Sequence, residues 1–571
     1  MTTPKIFIVG LDAATLSLIR PWAEQGLLPH FDRLLKDGAS GALSSTLPPI
    51  TPPAWTSFMT GKNPGKHGLF HFVEPQPGAY TLRYTNAGSR KARTLWRILS
   101  DAGYTVGVMN TPFTYPPEPV NGFQISGMDT PSPESPFIHP PSLRKELEQA
   151  IGKISLDIRY LGFMSTDERR DQVLAEIEKL DRQWTEAGLY LLEKHPADVM
   201  MFTYTSVDTA QHYFWHYMDP HHFLHDPQGV SLYGKTILQV YQRMDDAIGR
   251  FMNRLPKETT VVVVSDHGAG PISDRLVYLN RHLSQLGLLK YRDHPNRWSP
   301  ERAIQKLLRR VDSLLRGSLS SRQKSALARL FPRLRQKVET SSTSFAAIDW
   351  SSTKAYCSEM LASPPNIWIN LRGARPSGIV EPHEYKTLID KISKSLYELK
   401  DPRTAQPVIK RVYHRDEIYQ GPYADQAPDL TLDWWSDDAF ATRPSFPEDR
   451  NEPVVVIRDR KPPKGSEWSG THRLEGTLII QGEAIKQGDR VNQAGIIDLA
   501  PTLLHLLGLP VPDDMDGRVL TDLIRPDFMD KHPIRYQKTA QGEPGQEPGA
   551  EYSDEESSKI EERLKGLGYI E

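Results

Sequence analysis

In the stretch VMMFTYTSVDTAQHYFWH, Asp208 and His212 stand four residues apart. On a helix that spacing puts both on one face, where they can chelate one ion; an exposed pair, or a buried histidine with its hydrogen bonds met, fits the spacing too. His216, one turn further on, extends the face and reads as structural. In VVVVSDHGAGP, Asp266 and His267 are adjacent, after four valines and a serine. Neighbouring strand residues point to opposite faces, so both reach one site only if the chain is already turning there, and Gly268, Ala269 and Gly270 are expected to supply the turn. Polar groups at the end of a buried strand are costly unless something satisfies them; the alternative is a capped turn at a sheet edge. Asp12 follows the run IFIVGL and alone reads as a helix cap or turn former. His472, in SGTHRLEGTLIIQG, precedes a strand-like run and alone reads as a surface-loop histidine. The only cysteine is Cys357, so a metal site must draw on His, Asp and Glu, and no intrachain disulfide can form.

A candidate nucleophile lies in PPITPPAWTSFMTGKNPGKHG. Thr51 precedes Pro52, Pro53 and a helix-like run, the pattern of a cap followed by a first-turn proline. A helix start binds phosphate well, because free N–H groups and the helix dipole face it. The two prolines carry no N–H, so the donors are expected to begin at Ala54 and Trp55. On this segment alone Thr51 is a plain N-cap, and Thr46, Thr56 and Thr60 are competitors less well placed at the junction. GKNPGKHG lacks the G-x-x-x-x-G-K-[ST] spacing and is no nucleotide loop; Lys62, Lys66, His67 and His71 are its candidates for touching a substrate phosphate.

These residues need elements to carry them. Apolar runs at Ile6 to Leu11, Val106 to Met109, Val199 to Tyr204, Thr260 to Ser265 and Thr477 to Gln481 read as buried strands. Segments with helical period, such as Leu174 to Glu193 and Ile237 to Asn253, lie between them. Strands alternating with helices predict an α/β fold, a mostly parallel sheet with helices on both faces. Such strands read as continuous apolar runs, as VVVV does. Ligands in such sheets bind beyond the carboxyl ends of the strands, and all four metal-type pieces sit at strand ends.

The 571 residues predict a core over 1–290, an inserted cap or lid over 291–450, a second part of the core over 451–530, and a linker with a short C-terminal helix over 531–571. Within the cap, Ser299, Pro300 and Glu301 form a helix start, and 302–337 carries eleven Lys/Arg against the single acid Asp312. That segment reads as a solvated helical hairpin, or as a lid drawn to an anionic substrate or membrane surface. The polar, Gly/Pro-rich run TAQGEPGQEPGAEYSDEESS reads as a mobile linker, after which Ser558 is expected to cap a helix bearing Ile560, Leu564 and Leu567. A net charge of -2 argues against a general nucleic-acid binder. The apolar start MTTPKIFIVGL is too short for a signal-peptide core or a membrane span, and the expected location is cytoplasmic.

Together the motifs GLDAAT, TPPAWTSFMTGKNPGKHG, VDTAQHYFWH, VSDHGAGP and GTHRLEG, in this order, resemble the alkaline-phosphatase superfamily. Within it they look like the type I phosphodiesterase/nucleotide pyrophosphatase branch, and like the bacterial group of predicted phosphohydrolases or phosphomutases. IIDLAPTLLHLLGLPVPDDMDGRVL is similar to the family's C-terminal core segment. The resemblance implies a phosphate-ester hydrolase, with a phosphotransferase or phosphomutase on the same site as the alternative. It implies two divalent ions, one held by Asp208, His212 and His472, the other by Asp12, Asp266, His267 and the oxygen of Thr51, with Thr51 as nucleophile. Ligands of nitrogen and oxygen with three histidines favour zinc, manganese being the alternative. The implied substrate is a small-molecule or headgroup phosphate ester. One departure stands: the branch usually carries an Asn after the nucleophile helix, and HGLFHFVEP has none. Either His71 or one of Lys62 and Lys66 takes its place, or the substrate differs. AYCSEM lacks the C-x-P-x-R context of a sulfatase.

Overall fold

A computed structural model describes residues 3–292, 344–458, 468–539 and 550–566, apart from 77–78, 81, 157, 159–163, 165, 359–364 and 438. The predicted basic helices of 299–337 lie outside the described residues, as does Leu567.

Among the described residues nine strands form one sheet. Their order is Ala494–Gly495, Ala39–Ser44, Glu475–Gln481, Thr260–Val264, Ile6–Leu11, Val199–Tyr204, Val106–Thr111, Gly122–Ser126 and Ile138–His139. Ile6–Leu11 lies at the centre, parallel to both neighbours, with Ile6 opposite Val199 and Thr260. Only Glu475–Gln481 and Ile138–His139 run against the rest. The sheet is the mostly parallel α/β layer the sequence predicts, and alternate residues of each strand feed two cores. Phe7, Val9, Phe202 and Val263 pack on one side, against the long helices Asp167–Lys194 and Thr236–Met252. Ile8, Met201, Val262 and Val264 pack on the other, against Trp55, Phe58, Trp96 and Leu503. With both faces covered the strands have no polar face to show, which is why VVVV is buried throughout.

A second, four-stranded antiparallel sheet has the order Ala355–Cys357, Asn366–Ile369, Leu430–Leu432, Val412–His414. With the helix Tyr385–Tyr397 it encloses its own core of Ile367, Ile369, Ile392, Leu396 and Leu430. Core strands continue in Glu475–Gln481 and Ala494–Gly495, then the helix Leu499–Leu506. The C-terminal helix spans Asp554–Gly566, so it starts before Ser558, which lies inside it. Ala550 and Tyr552 are hydrogen-bonded to the body, so the end of the run read as a linker is docked. Among the described residues no helix is long and apolar enough to cross a membrane.

Candidate active site

Asp12 follows the central strand, and Asp266 and His267 follow its neighbour Thr260–Val264. Its other neighbour, Val199–Tyr204, leads into the helix Ser206–Met218, whose first turns carry Asp208 and His212. The strand Glu475–Gln481 runs the opposite way, so its start, just after His472, sits at the carboxyl ends of the others. One sheet edge therefore gathers residues more than four hundred positions apart.

Gly268–Pro271 does not form the expected turn. It is a short strand paired antiparallel with Gly470–Arg473, Ala269 opposite His472. The glycines serve close approach: a Cβ on Gly268 would lie 2.1 Å from the Glu475 carbonyl oxygen, and one on Gly270 2.7 Å from the Arg473 side chain. This ladder sets the His267 and His472 rings face to face, 3.8 Å apart at 23°. Ala13, after Asp12, holds φ at +62°, a left-handed conformation costly for alanine. Its carbonyl accepts the Gln211 amide at 2.9 Å, which ties this turn to the Asp208 helix.

The side chains form two groups, each with ligand atoms within 4.8 Å of one another. In the first, His212 Nε2 lies 3.1 Å from Asp208 Oδ1, His472 Nε2 3.5 Å from the same oxygen, and the two Nε2 atoms 3.0 Å apart. His212 Nδ1–H donates to the Gly470 carbonyl and His472 Nδ1–H to that of Pro49, both at 2.9 Å. In the neutral rings both Nε2 atoms then carry lone pairs aimed at one another beside a carboxylate. That arrangement is repulsive without a cation and is how metal-binding imidazoles are oriented. In the second group, His267 Nε2 is 3.4 Å from Asp12 Oδ1, Asp266 Oδ2 and Thr51 Oγ1. His267 Nδ1–H donates to the Gly268 carbonyl at 3.1 Å. Asp12 Oδ1 and Asp266 Oδ2 are buried with no hydrogen-bond partner among the described residues. A tetrahedral ion with bonds of roughly 2 Å sets its ligand atoms about 3.3 Å apart, so both sets of spacings fit an ion.

The electrostatics agree. Burial pushes Asp12 well up, helped by the charges of Asp266 and Asp208, and burial and Asp208 push Asp266 well up. In the metal-free protein Asp208 is held well below the usual range despite burial by the positive charge that His212 and His472 bring to it when protonated. Burial lowers His267 and His472, toward the neutral form in which an imidazole can hold a metal, although Asp208 pulls His472 the other way. Clustered buried carboxylates with nothing to neutralise them mark a site built for cations.

Thr51 is not the cap of its helix. Ile50 is, and Thr51 is the first residue of Thr51–Thr60, fully buried. Ala54 N–H donates to the Ile50 carbonyl, so it is no free donor, and this helix start offers fewer N–H groups than expected. Lys62 and Lys66 do not join the cluster. Lys62 is paired with Asp514, and Lys66 lies 2.6 Å from Asp516. His67 is a buried structural histidine 3.0 Å from Ser57 Oγ. His71 lines a separate cavity with Phe70, Tyr356 and Trp368.

Sequence reasoning missed the residues that hold the candidate ligands in place. Trp55 Nε1–H donates to Asp12 Oδ2 at 3.4 Å, and Trp468 stacks on His212 at 3.8 Å. Trp55 was findable, one helical turn beyond Thr51; the carbonyls of Pro49, Gly268 and Gly470 carry no side-chain signal.

The family model for type I phosphodiesterase / nucleotide pyrophosphatase matches residues 6–460. The chain belongs to this family. It is a phosphodiesterase-family hydrolase of phosphoric esters, and the family is metal-dependent. Solved structures similar to this enzyme include human ectonucleotide pyrophosphatase / phosphodiesterase 5, at 13% identity over 91% of this chain and 100% of that one, with a TM-score of 0.48. The murine counterpart in an inactive form with AMP is 14% identical over 91% and 100%, TM-score 0.47. Phosphonoacetate hydrolase from Sinorhizobium meliloti, with phosphonoacetate, is 16% identical over 87% and 94%, TM-score 0.46. No curated protein matches this enzyme.

Proposed function

We propose that this enzyme hydrolyses phosphate esters, phosphodiesters foremost, by transferring the phosphoryl group to Thr51 and then to water. The substrate is a small-molecule or headgroup phosphate ester. The observation that carries this reading is the Thr51 hydroxyl. It is fully buried at a helix start and lies 3.4 Å from His267 Nε2, the ring nitrogen that also stands 3.4 Å from Asp12 and Asp266.

Asp208, His212 and His472 would hold one divalent ion, and Asp12, Asp266, His267 and Thr51 Oγ1 the other. The donors are nitrogen and oxygen with three imidazoles, which favours zinc, with manganese as the alternative. When bound, such ions withdraw charge from phosphoryl oxygens and lower the pKa of a nearby hydroxyl or water.

The chain's own residues position the chemistry. The helix start fixes Thr51 Oγ1, and the carbonyls of Pro49, Gly268 and Gly470 fix the three rings. The Thr51 hydroxyl gives up its proton to solvent and Oγ1 forms a bond to phosphorus as the bond to the leaving oxygen breaks; that oxygen departs with the electron pair and takes a proton from solvent. Water then attacks phosphorus and frees Thr51 as the hydroxyl. Such two-step transfer splits one hard displacement into two.

Thr51→Ala is expected to lower hydrolysis of bis(4-nitrophenyl) phosphate by roughly 10³-fold or more, while metal content measured on the purified protein stays near that of the wild type. Full turnover in Thr51→Ala would falsify the nucleophile assignment.

A further inference from the structure

We propose that the C-terminal helix is a clamp that positions His212 through Trp468, so that Trp468 and the helix contacts behind it set how tightly this site holds its ion. The proposal rests on the reading of Asp208, His212 and His472 as metal ligands.

Residues 468–470 form the cradle of His212. The Trp468 indole stacks on the imidazole at 3.8 Å and 25°. Ser469 N–H donates to the His212 carbonyl at 2.6 Å, and the Gly470 carbonyl accepts the Nδ1–H. His472 follows two residues on, so one short segment both supplies a ligand and orients another.

That segment is backed by the tail. Ile560 and Leu564, 3% and 4% exposed, are buried with Leu69, Phe72, Phe113 and Met128, and Trp468 and Tyr552 pack against this cluster. Their four-residue spacing puts both on one face of Asp554–Gly566. Polar anchors fix the helix at both ends. The Tyr115 hydroxyl donates to Glu556 at 2.6 Å, Tyr115 stacks on Tyr552, and Tyr552 O–H donates to the Asp129 carbonyl. The Arg563 guanidinium donates to the carbonyls of Thr130 and Leu156. A docked surface helix needs only its apolar stripe for stability. Here the stripe is buried in the same cluster against which Trp468, the residue that stacks on a metal-type histidine, packs, and partners that orient a ligand imidazole tune its affinity for the ion.

The test uses the full chain. Ile560→Asp with Leu564→Asp should undock the helix, read as faster amide hydrogen exchange over 550–566. Exchange in 468–472 and in the His212 helix should rise with it, in metal-free protein, while the other central strands stay protected. Zinc loss to a competing chelator should then show affinity at one site roughly tenfold weaker or more. Trp468→Ala should reproduce that loss with the helix docked, and Trp468→Phe should largely restore it. Glu562→Ala, on the exposed face, should change nothing. An undocked helix with unchanged exchange at 468–472 and unchanged zinc affinity overturns the clamp, as does higher turnover, which would make the tail a cover. If the double variant does not fold, the Trp468 pair decides alone: equal affinity in wild type and Trp468→Ala overturns the proposal. Wild-type protein that takes up no metal refutes the ligand assignment instead, and the exchange comparison still separates the two.

Discussion

At the scale of single residues, the site is a set of charges that the polypeptide alone leaves unbalanced. Asp266 is the sharpest case, fully buried, one oxygen without a partner, its carboxyl pushed well up by burial and by Asp208. Asp266→Asn removes a repulsive charge from the metal-free protein, which should become more stable by on the order of 1–4 kcal/mol. With metal the order should reverse, because the variant has lost a ligand. Thermal midpoints with and without chelator give both signs. A second titration lies outside the metal groups. Burial pushes Glu74 from 4.5 up to about 7, with the Phe70 amide and Arg83 pulling the other way. Between those values the native protein holds a proton that the unfolded chain has released, so stability falls as pH rises through the window. Glu74→Gln should flatten that fall in urea midpoints taken at pH 5 and pH 7. Some residues were readable from their neighbours alone. Asp266 and His267 stand out because polar groups rarely follow four valines. Lys62 and Lys66 misled because their partners, Asp514 and Asp516, lie far away in sequence, and a pairing of that range leaves no local mark.

At the scale of elements, strands with β-branched runs declared themselves and strands of small residues did not. Ala39–Ser44, ASGALS, has no such run, yet it pairs along its length with Glu475–Gln481. Its Gly41 also lets the backbone at Val491 come close: a Cβ there would lie 2.4 Å from the Val491 carbonyl oxygen. The backbone contact makes it a strand, and sequence patterns report side chains. The same physics corrects the glycines after His267, which read as a turn and serve a ladder. Gly268→Ala therefore meets backbone, which cannot swing aside. We expect a cost of about 1–3 kcal/mol or more, with activity falling further than stability, since the ladder sets the spacing of His267 and His472. Chemical unfolding and turnover on one preparation compare the two losses. Gly26→Ala, at a positive φ in open space, is the control that strains backbone without touching the ladder.

At the scale of the molecule, two candidate ligand groups drawn from five elements share one edge of one sheet, so ions bound there would link binding to folding. An ion that binds only the native state stabilises it by RT ln(1 + [L]/Kd), about 4 kcal/mol at a thousandfold excess over Kd. Chelation should lower the unfolding midpoint and abolish hydrolysis together, and zinc or manganese should restore both; a midpoint indifferent to chelator would argue against ions at either group. The parallel layering was legible because a sheet covered on both faces writes itself as apolar runs. The place of the second sheet was not, since short antiparallel strands such as Leu430–Leu432 carry too few residues to show a period.

The strand Glu475–Gln481 is threaded between Ala39–Ser44 and Thr260–Val264, and translation delivers it late. A nascent chain still short of it has a slot in the middle of its sheet, with the valine run as a bare edge open to pairing with any other chain. Such a chain also lacks His472. Early release or a break upstream of that strand would thus yield a sticky, metal-poor fragment, and cellular quality control would meet that species before any weakly active enzyme.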